Sequence, residues 1–265
     1  MRDILGWSRP FRPGTLDTDL FECLIEADAI DADGELLRAM IRVSSLGDLL
    51  FVHSAYPTDQ ADAVFFGPDS YRFADLIAAE LARSPLPPGA TIVDIGAGAG
   101  VGAIVAAQAS DRPSVVMVDV NPAALDFARI NARAAGVIST YVVGDTLGGV
   151  DGAIDLAVAN PPYLVDAAQR AYRDGGGRHG TEIALIMAQE AVARLSAAGR
   201  LILYTGSAIV DGEDPLRNAL EKLTTDSGRR LRYREIDPDV FGEELAEPAY
   251  ADVDRIALVA AIIEP

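Results

Sequence analysis

The strongest constraint on the fold is an alternation that begins near Tyr71. Short, continuous apolar runs occur at 91-TIVDI-95, 114-SVVMVD-119, 139-STYVVG-144, 154-IDLAVAN-160 and 200-RLILYTG-206. Between and after them, helical periodicity appears near 70–83, 100–110, 122–135, 181–197 and 213–224. Two further strand-like runs follow, near 230–236 and 255–263. Strands that are apolar on both faces and divided by helices require a mostly parallel sheet covered on both sides. The expected fold class is therefore α/β, Rossmann-like, with seven strands. The last strand is expected to run antiparallel, fed by the connection 246-AEPAYADVD-254. Half of the 265 residues are apolar, so a core of this size can be filled.

The first 63 residues do not share this pattern. Residues 1–14 are rich in Pro, Gly and Arg and read as an irregular arm, with Trp7 and Phe11 as its anchors. Leu20, Phe21, Leu24 and Ile25 recur at helical spacing between Asp17 and Ile30. The runs 36-LLRAMIRVSS-45 and 49-LLFVHSA-55 flank Leu46-Gly47-Asp48 and read as a hairpin. Helix plus hairpin is similar to a winged-helix module, but the hairpin carries only Arg38 and Arg42. A small α/β cap at 1–63, which docks a partner or selects substrate, is expected ahead of a catalytic domain at 64–265. Residues 57–69 read as a linker and doorway.

The net charge is −18 and Lys222 is the single lysine. Affinity for a phosphate backbone comes from clustered Lys and Arg, so nucleic acid is a disfavoured partner. The densest basic run, 228-GRRLRYR-234, sits in a strand pattern. No apolar run approaches ~20 residues, so no membrane span is expected. The first residues lack a signal-like apolar stretch, and Cys23, in LFECLIEA, reads as a core thiol. Both point to the cytoplasm. No Cys/His cluster suggests a metal. His53 reads as a packed or exposed hairpin residue, and His179 lies in a glycine-rich loop near the expected substrate mouth.

Chemistry is concentrated where strands end. The first strand runs into 94-DIGAGAGVG-102, where glycines let backbone approach a ligand. Gly98, Gly100 and Ala103 also satisfy the loose dinucleotide pattern. Asp119 ends the second strand and can accept both hydroxyls of a ribose, which suits NAD or an adenosyl ligand. Asp145 ends the third and can accept from the exocyclic amine of adenine. Asp94 can reach an ammonium group, directly or through water. The fourth strand ends on Asn160, followed by Pro161, Pro162 and Tyr163. Proline lacks an N–H and fixes its own φ, so this tip is rigid. The Asn160 side-chain oxygen and the Pro161 carbonyl can accept from the two hydrogens of a planar NH2, with Tyr163 as a flat wall.

The order V-D-I-G-A-G-A-G, V-D-V-N, G-D, N-P-P-Y resembles class I S-adenosylmethionine-dependent methyltransferases over residues 64–263. The resemblance implies S-adenosyl-L-methionine as cofactor. It places Gly96, Gly98 and Gly100 under the methionine part, Asp119 with Val120 at the ribose and Asp145 at the adenine. It also implies a planar acceptor nitrogen: adenine N6, cytosine N4 or a glutamine amide. The segments 172-YRDGGGRHGTEIAL-185 and 65-FFGPDSYRF-73 are similar to the release-factor glutamine N5-methyltransferases. That implies a protein substrate methylated on glutamine. The sequence departs from that family where Pro68-Asp69-Ser70-Tyr71 replaces an R-P-E-T-E-like run, and in its N-terminal part, which is all-helical in the family. Adenine methylation of RNA or DNA, a small-molecule amine acceptor, and a non-catalytic adenosyl- or NAD-binding regulator are the alternatives.

Overall fold

The structure, a computed structural model, describes residues 1–166, 170 and 172–265. The chain opens with a short turn of helix and then α1 (Thr18–Glu26). Two hairpins follow: β1 (Ile30–Asp33) with β2 (Leu36–Ala39), and β3 (Ile41–Leu46) with β4 (Leu49–Ser54). The alternating part then runs α2 (Pro68–Arg83), β5 (Thr91–Ile95), α3 (Val101–Gln108), β6 (Ser114–Asp119), α4 (Pro122–Ala134), β7 (Thr140–Val143) and β8 (Ile154–Ala159). It ends with α5 (Glu182–Arg194), β9 (Leu195–Ile209), α6 (Pro215–Ser227), β10 (Arg230–Asp237) and β11 (Arg255–Glu264).

The large sheet has seven strands in the order β10-β11-β9-β8-β5-β6-β7. Only β11 runs against its neighbours, as the sequence pattern implies. Successive residues serve opposite faces, which is why these strands need apolar residues at every position. Ile92, Leu156 and Ile202 pack under Ile77 and Leu81 of α2. Their chain neighbours Val93, Ala157 and Leu201 pack under Ala188 of α5 and Leu216 and Leu220 of α6. Each such buried Val, Leu or Ile side chain contributes roughly 1.5–3 kcal/mol. Helix starts follow local chemistry. Asn121 Oδ1 accepts from the Ala123 N–H at 3.0 Å, with Pro122 in the first helical position of α4. Asp214 and Pro215 do the same for α6.

The N-terminal region is an α/β unit as expected, but it holds two hairpins where the sequence reading gives one. The run 36–45 is not one strand, because Met40 interrupts it. The Met40 N–H donates to the Ala29 carbonyl and its carbonyl accepts from the Ala55 N–H, so β2 turns to β1 while β3 turns to β4. A separate core of Ile4, Leu5, Phe11, Leu16, Leu24, Ala29 and Ala39 holds α1, the arm and β2 together. Cys23 is exposed rather than a core thiol, since the nine-residue α1 fully buries only Leu24. Phe11 is buried and bridges to Leu37, while Trp7 stays exposed with the Arg42 guanidinium 6.0 Å from its ring.

The second hairpin packs on the large α/β unit. Phe51 joins Ile104 and Met117 in one buried cluster. The fully buried Asn131 of α4 clamps β4: its Oδ1 accepts from the Val52 N–H at 2.7 Å, and its Nδ2 donates to the Val52 and Ala99 carbonyls at 3.0 and 2.9 Å. His53 is packed, with Nε2 2.9 Å from Ser44 Oγ and its ring stacked on Phe66. Burial, aided by the Arg42 charge, pushes its pKa down to about 4. Among the described residues, no helix is long and apolar enough to cross a membrane.

Candidate active site

A cavity of about 760 Å³ lies along the carboxyl ends of β5, β6, β7 and β8. That volume is in the range of small-molecule sites, and this edge is where open α/β sheets bind ligands. Its floor is the glycine turn. Gly96 and Gly98 have φ of +71° and +54°, a conformation that a side chain resists. The Gly96 and Ala97 N–H groups both donate to the Val118 carbonyl, which draws the turn against β6.

Asp119, at the end of β6, accepts from the Gly98 N–H through Oδ2 at 2.8 Å and from the Asn121 N–H through Oδ1 at 2.9 Å. Burial raises its pKa, opposed by those backbone donors. Val120 beside it is exposed and lines the cavity, as do Gly144, Asp145 and Thr146 beyond β7. Asp94 lines the cavity with 1 % of its surface exposed. One of its oxygens accepts from the Ala103 N–H at 2.7 Å, and burial pushes its pKa up to about 7. Gly100, between Ala99 and Val101 of the cavity wall, has a φ of +80°, and a Cβ there would stand 3.2 Å from that of Ala128, so the missing side chain also lets α3 pack closely on α4. Gly102 does line the cavity, and a Cβ there would meet the Phe73 ring and the Asp94 carboxylate within 3 Å.

Beside the glycine turn, at the end of the neighbouring strand β8, stands the Asn160–Tyr163 tip. β8 stops at Ala159, and all four tip residues border the cavity. Among the described residues, none hydrogen-bonds to the Asn160 side chain. Tyr163 is more constrained than a free wall. Its hydroxyl donates to Asp69 Oδ2 at 2.6 Å, and its ring lies on Gly206 and 6.0 Å from Phe241. Burial, then the Asp69 charge, raises the Tyr163 pKa, so the phenol keeps its proton.

Several walls were not foreseen. Phe65 and Tyr172 form a parallel aromatic pair, 6.0 Å apart, at the cavity edge, and the Tyr172 hydroxyl donates to the Thr58 carbonyl at 2.7 Å. Phe241, Val240, Ile186 and Met187 complete the apolar surface. These residues lie in loops or on a mixed helix face, where no period marks them. His179 does not reach the cavity: it is buried, stacked on Tyr250, with Nε2 2.9 Å from Asp252. Among the described residues, no group of three or more His, Cys, Asp or Glu is placed to hold a metal.

Comparison with known proteins bears on the family and the fold. The methyltransferase small domain family matches residues 74–227, more than half of the chain. A Deinococcus radiodurans protein named release factor glutamine methyltransferase is 34 % identical over 190 residues, covering 71 % of this chain and 66 % of that one. The chain spans two-thirds or less of the length of such curated relatives. Among solved structures, Trm5b from Pyrococcus abyssi is similar with a TM-score of 0.59 at 15 % identity, covering 89 % of this chain and 62 % of that one. TYW2 from M. jannaschii, solved in complex with AdoMet, is similar at 0.54 and 14 % identity, covering 85 % of this chain and 86 % of that one. These two show a shared fold. By the family match, the chain belongs to the methyltransferase small domain family of class I, S-adenosylmethionine-dependent methyltransferases.

Proposed function

We propose that this protein transfers the methyl group of S-adenosyl-L-methionine to a planar nitrogen, the side-chain amide of a glutamine in a protein substrate. The observation that carries the reading is that the rigid Asn160–Tyr163 tip and the glycine turn, which follow the paired strands β8 and β5, border one cavity. The residues fit the cofactor. Gly96 and Gly98 offer backbone without a side chain, Asp119 a carboxylate for a ribose diol, Val120 an apolar face, and Asp145 an acceptor for the adenine amine. Asp94 keeps one oxygen for the ammonium group. When bound, the cofactor supplies a methyl group already activated on a sulfonium.

The chain's own task is then positioning, which can contribute ~7–11 kcal/mol in favourable cases. Asn160 Oδ1 and the Pro161 carbonyl accept from the two amide hydrogens. They fix the plane of the acceptor and stabilise the positive charge that develops on nitrogen. The apolar walls at Phe65 and Phe241 suit a neutral acceptor. The likeness to a release factor glutamine methyltransferase supports a protein substrate, and the net charge of −18 weighs against a nucleic acid. We propose that residues 1–63, whose hairpins have no counterpart in the family's all-helical module, select that substrate. The test is transfer from labelled cofactor into a lysate separated into protein, nucleic acid and small molecules. Label in protein, released as N5-methylglutamine on digestion, is expected. Label in RNA or DNA, with steep salt dependence, would replace glutamine by adenine.

A further inference from the structure

We propose that Asp69 is a positioning residue that holds the Asn160–Tyr163 tip in place by gripping the hydroxyl of Tyr163. The role in transfer rests on the acceptor reading given above. Asp69 stands in the segment where the sequence departs from the release-factor enzymes. It is the second residue of α2, after Gly67 and Pro68, and it borders the cavity. Its Oδ2 accepts from Tyr163 at 2.6 Å and its Oδ1 from Tyr204 at 2.9 Å. Tyr204 is fully buried in the centre of β9, so it is a fixed post. The carboxylate thus ties a loop tyrosine to a strand tyrosine.

The ring of Tyr163 is confined on its faces as well. A Cβ on Gly206 would stand 2.2 Å from the Tyr163 ring, so β9 carries a glycine where the ring lies flat. Phe241 closes in from the β10–β11 connection, with the ring centroids 6.0 Å apart. The two prolines between Asn160 and Tyr163 have fixed φ, so little freedom separates the ring from the Pro161 carbonyl and Asn160. Holding the ring at both its face and its hydroxyl therefore sets the two acceptors that aim a planar nitrogen. An asparagine at 69 keeps one acceptor oxygen but turns an NH2 toward the other phenol, so both bonds lose their charge assistance and one hydroxyl must turn round to accept. Asp69→Asn is therefore a shape-conserving way to weaken the grip.

The experiment uses the full chain as wild type, Asp69→Asn, Tyr163→Phe and the double variant, all carrying 13C-labelled tyrosine. The Tyr163 ring signal is identified by its loss in Tyr163→Phe. In the wild type the ring should flip slowly and give separate signals for its two sides. In Asp69→Asn these should broaden or merge. S-adenosylhomocysteine affinity, measured by calorimetry, should stay within about twofold, because the grip lies on the acceptor side. Single-turnover transfer into the protein fraction that the wild type labels should fall roughly tenfold to a hundredfold in either single variant. Acceptor KM should change little, and the double variant should be no slower than the singles. Unchanged ring signals in Asp69→Asn, or additive losses in the double variant, would overturn the proposal. Ring loosening in Asp69→Asn, together with a wild type that labels no protein, would leave the grip standing and sink the acceptor reading alone. If Asp69→Asn fails to fold, Asp69→Glu takes its place in the ring measurement.

Discussion

Cofactor binding should depend on pH through Asp94, and the size of the effect follows from its surroundings. Asp94 is almost fully enclosed on the central strand β5. Burial, opposed by the Ala103 N–H and assisted by the Asp119 charge, brings its pKa to about 7. A ligand ammonium at its second oxygen favours the carboxylate, so the proton leaves on binding. At pH 6, one unit below that value, about nine in ten free molecules hold the proton. Binding there should be weaker by ~1.4 kcal/mol, about tenfold in Kd, than on the plateau above pH 7.5. Calorimetry of S-adenosylhomocysteine in two buffers of different ionisation heat should show about 0.9 proton released at pH 6. Asp94→Asn should bind with no such slope. A wild-type Kd that is flat from pH 5.5 to 7.5, or an Asp94→Asn variant with the same slope as wild type, would refute the reasoning.

The ligand-free protein provides a sign check on the same group. An unfolded Asp has a pKa of ~3.9, so between about pH 4 and 7 the native state holds more proton than the unfolded one. Asp94 therefore lowers stability as pH rises through that window, and the loss is complete above it. His53 acts in the opposite sense. Its native pKa of about 4 lies below the ordinary value of 6.5, so its contribution is full above 6.5 and is lost as pH falls toward 4. His53 titrates alike in both proteins, so the melting temperature of Asp94→Asn, relative to wild type, should rise from pH 4.5 to 7.

Three further outcomes are expected. Asn160→Ala should slow single-turnover methyl transfer by ~100-fold while leaving cofactor affinity nearly unchanged, because the interaction strengthens only as charge develops on the acceptor. Asp119→Ala should weaken S-adenosylhomocysteine binding by ~1–3 kcal/mol in calorimetry, since the ribose loses its acceptor and Gly98 its anchor. Asn131→Ala removes three hydrogen bonds and leaves the Val52 and Ala99 groups unpaired, so scanning calorimetry should show a loss of about 2–4 kcal/mol.

The sheet was legible because its strands are apolar at consecutive positions, and two covered faces are the only way to bury both parities. Asn121-Pro122 marked a helix start for a reason confined to neighbouring residues. Gly96, Gly98 and Gly100 stand out because the turn demands positive φ, and at Gly100 the same backbone freedom also serves helix packing. Cys23 was misplaced because LFECLIE offers apolar residues on more than one face, and one short helix buries only Leu24. The grip of Asp69 on Tyr163 and Tyr204 spans 94 and 135 positions, and no local pattern encodes a contact at that distance. Phe65, Tyr172 and Phe241 reach the cavity from three connections whose paths are set by the whole fold.

The Asn131 clamp has a consequence for how such a chain can be divided or exchanged. Its three hydrogen bonds hold the second hairpin on one side and the glycine turn, through Ala99, on the other. Phe51 covers Ile104 and Met117 at the same seam. A cut at residue 63 would thus leave an orphaned amide and bare apolar surface directly behind the turn that faces the cavity. Swapping the first 63 residues for a relative's helical module would carry the same penalty unless α4 changed with it. The second hairpin is thus part of the support behind the glycine turn, and a change made in it should be felt at the cavity as well as at the surface of the N-terminal region.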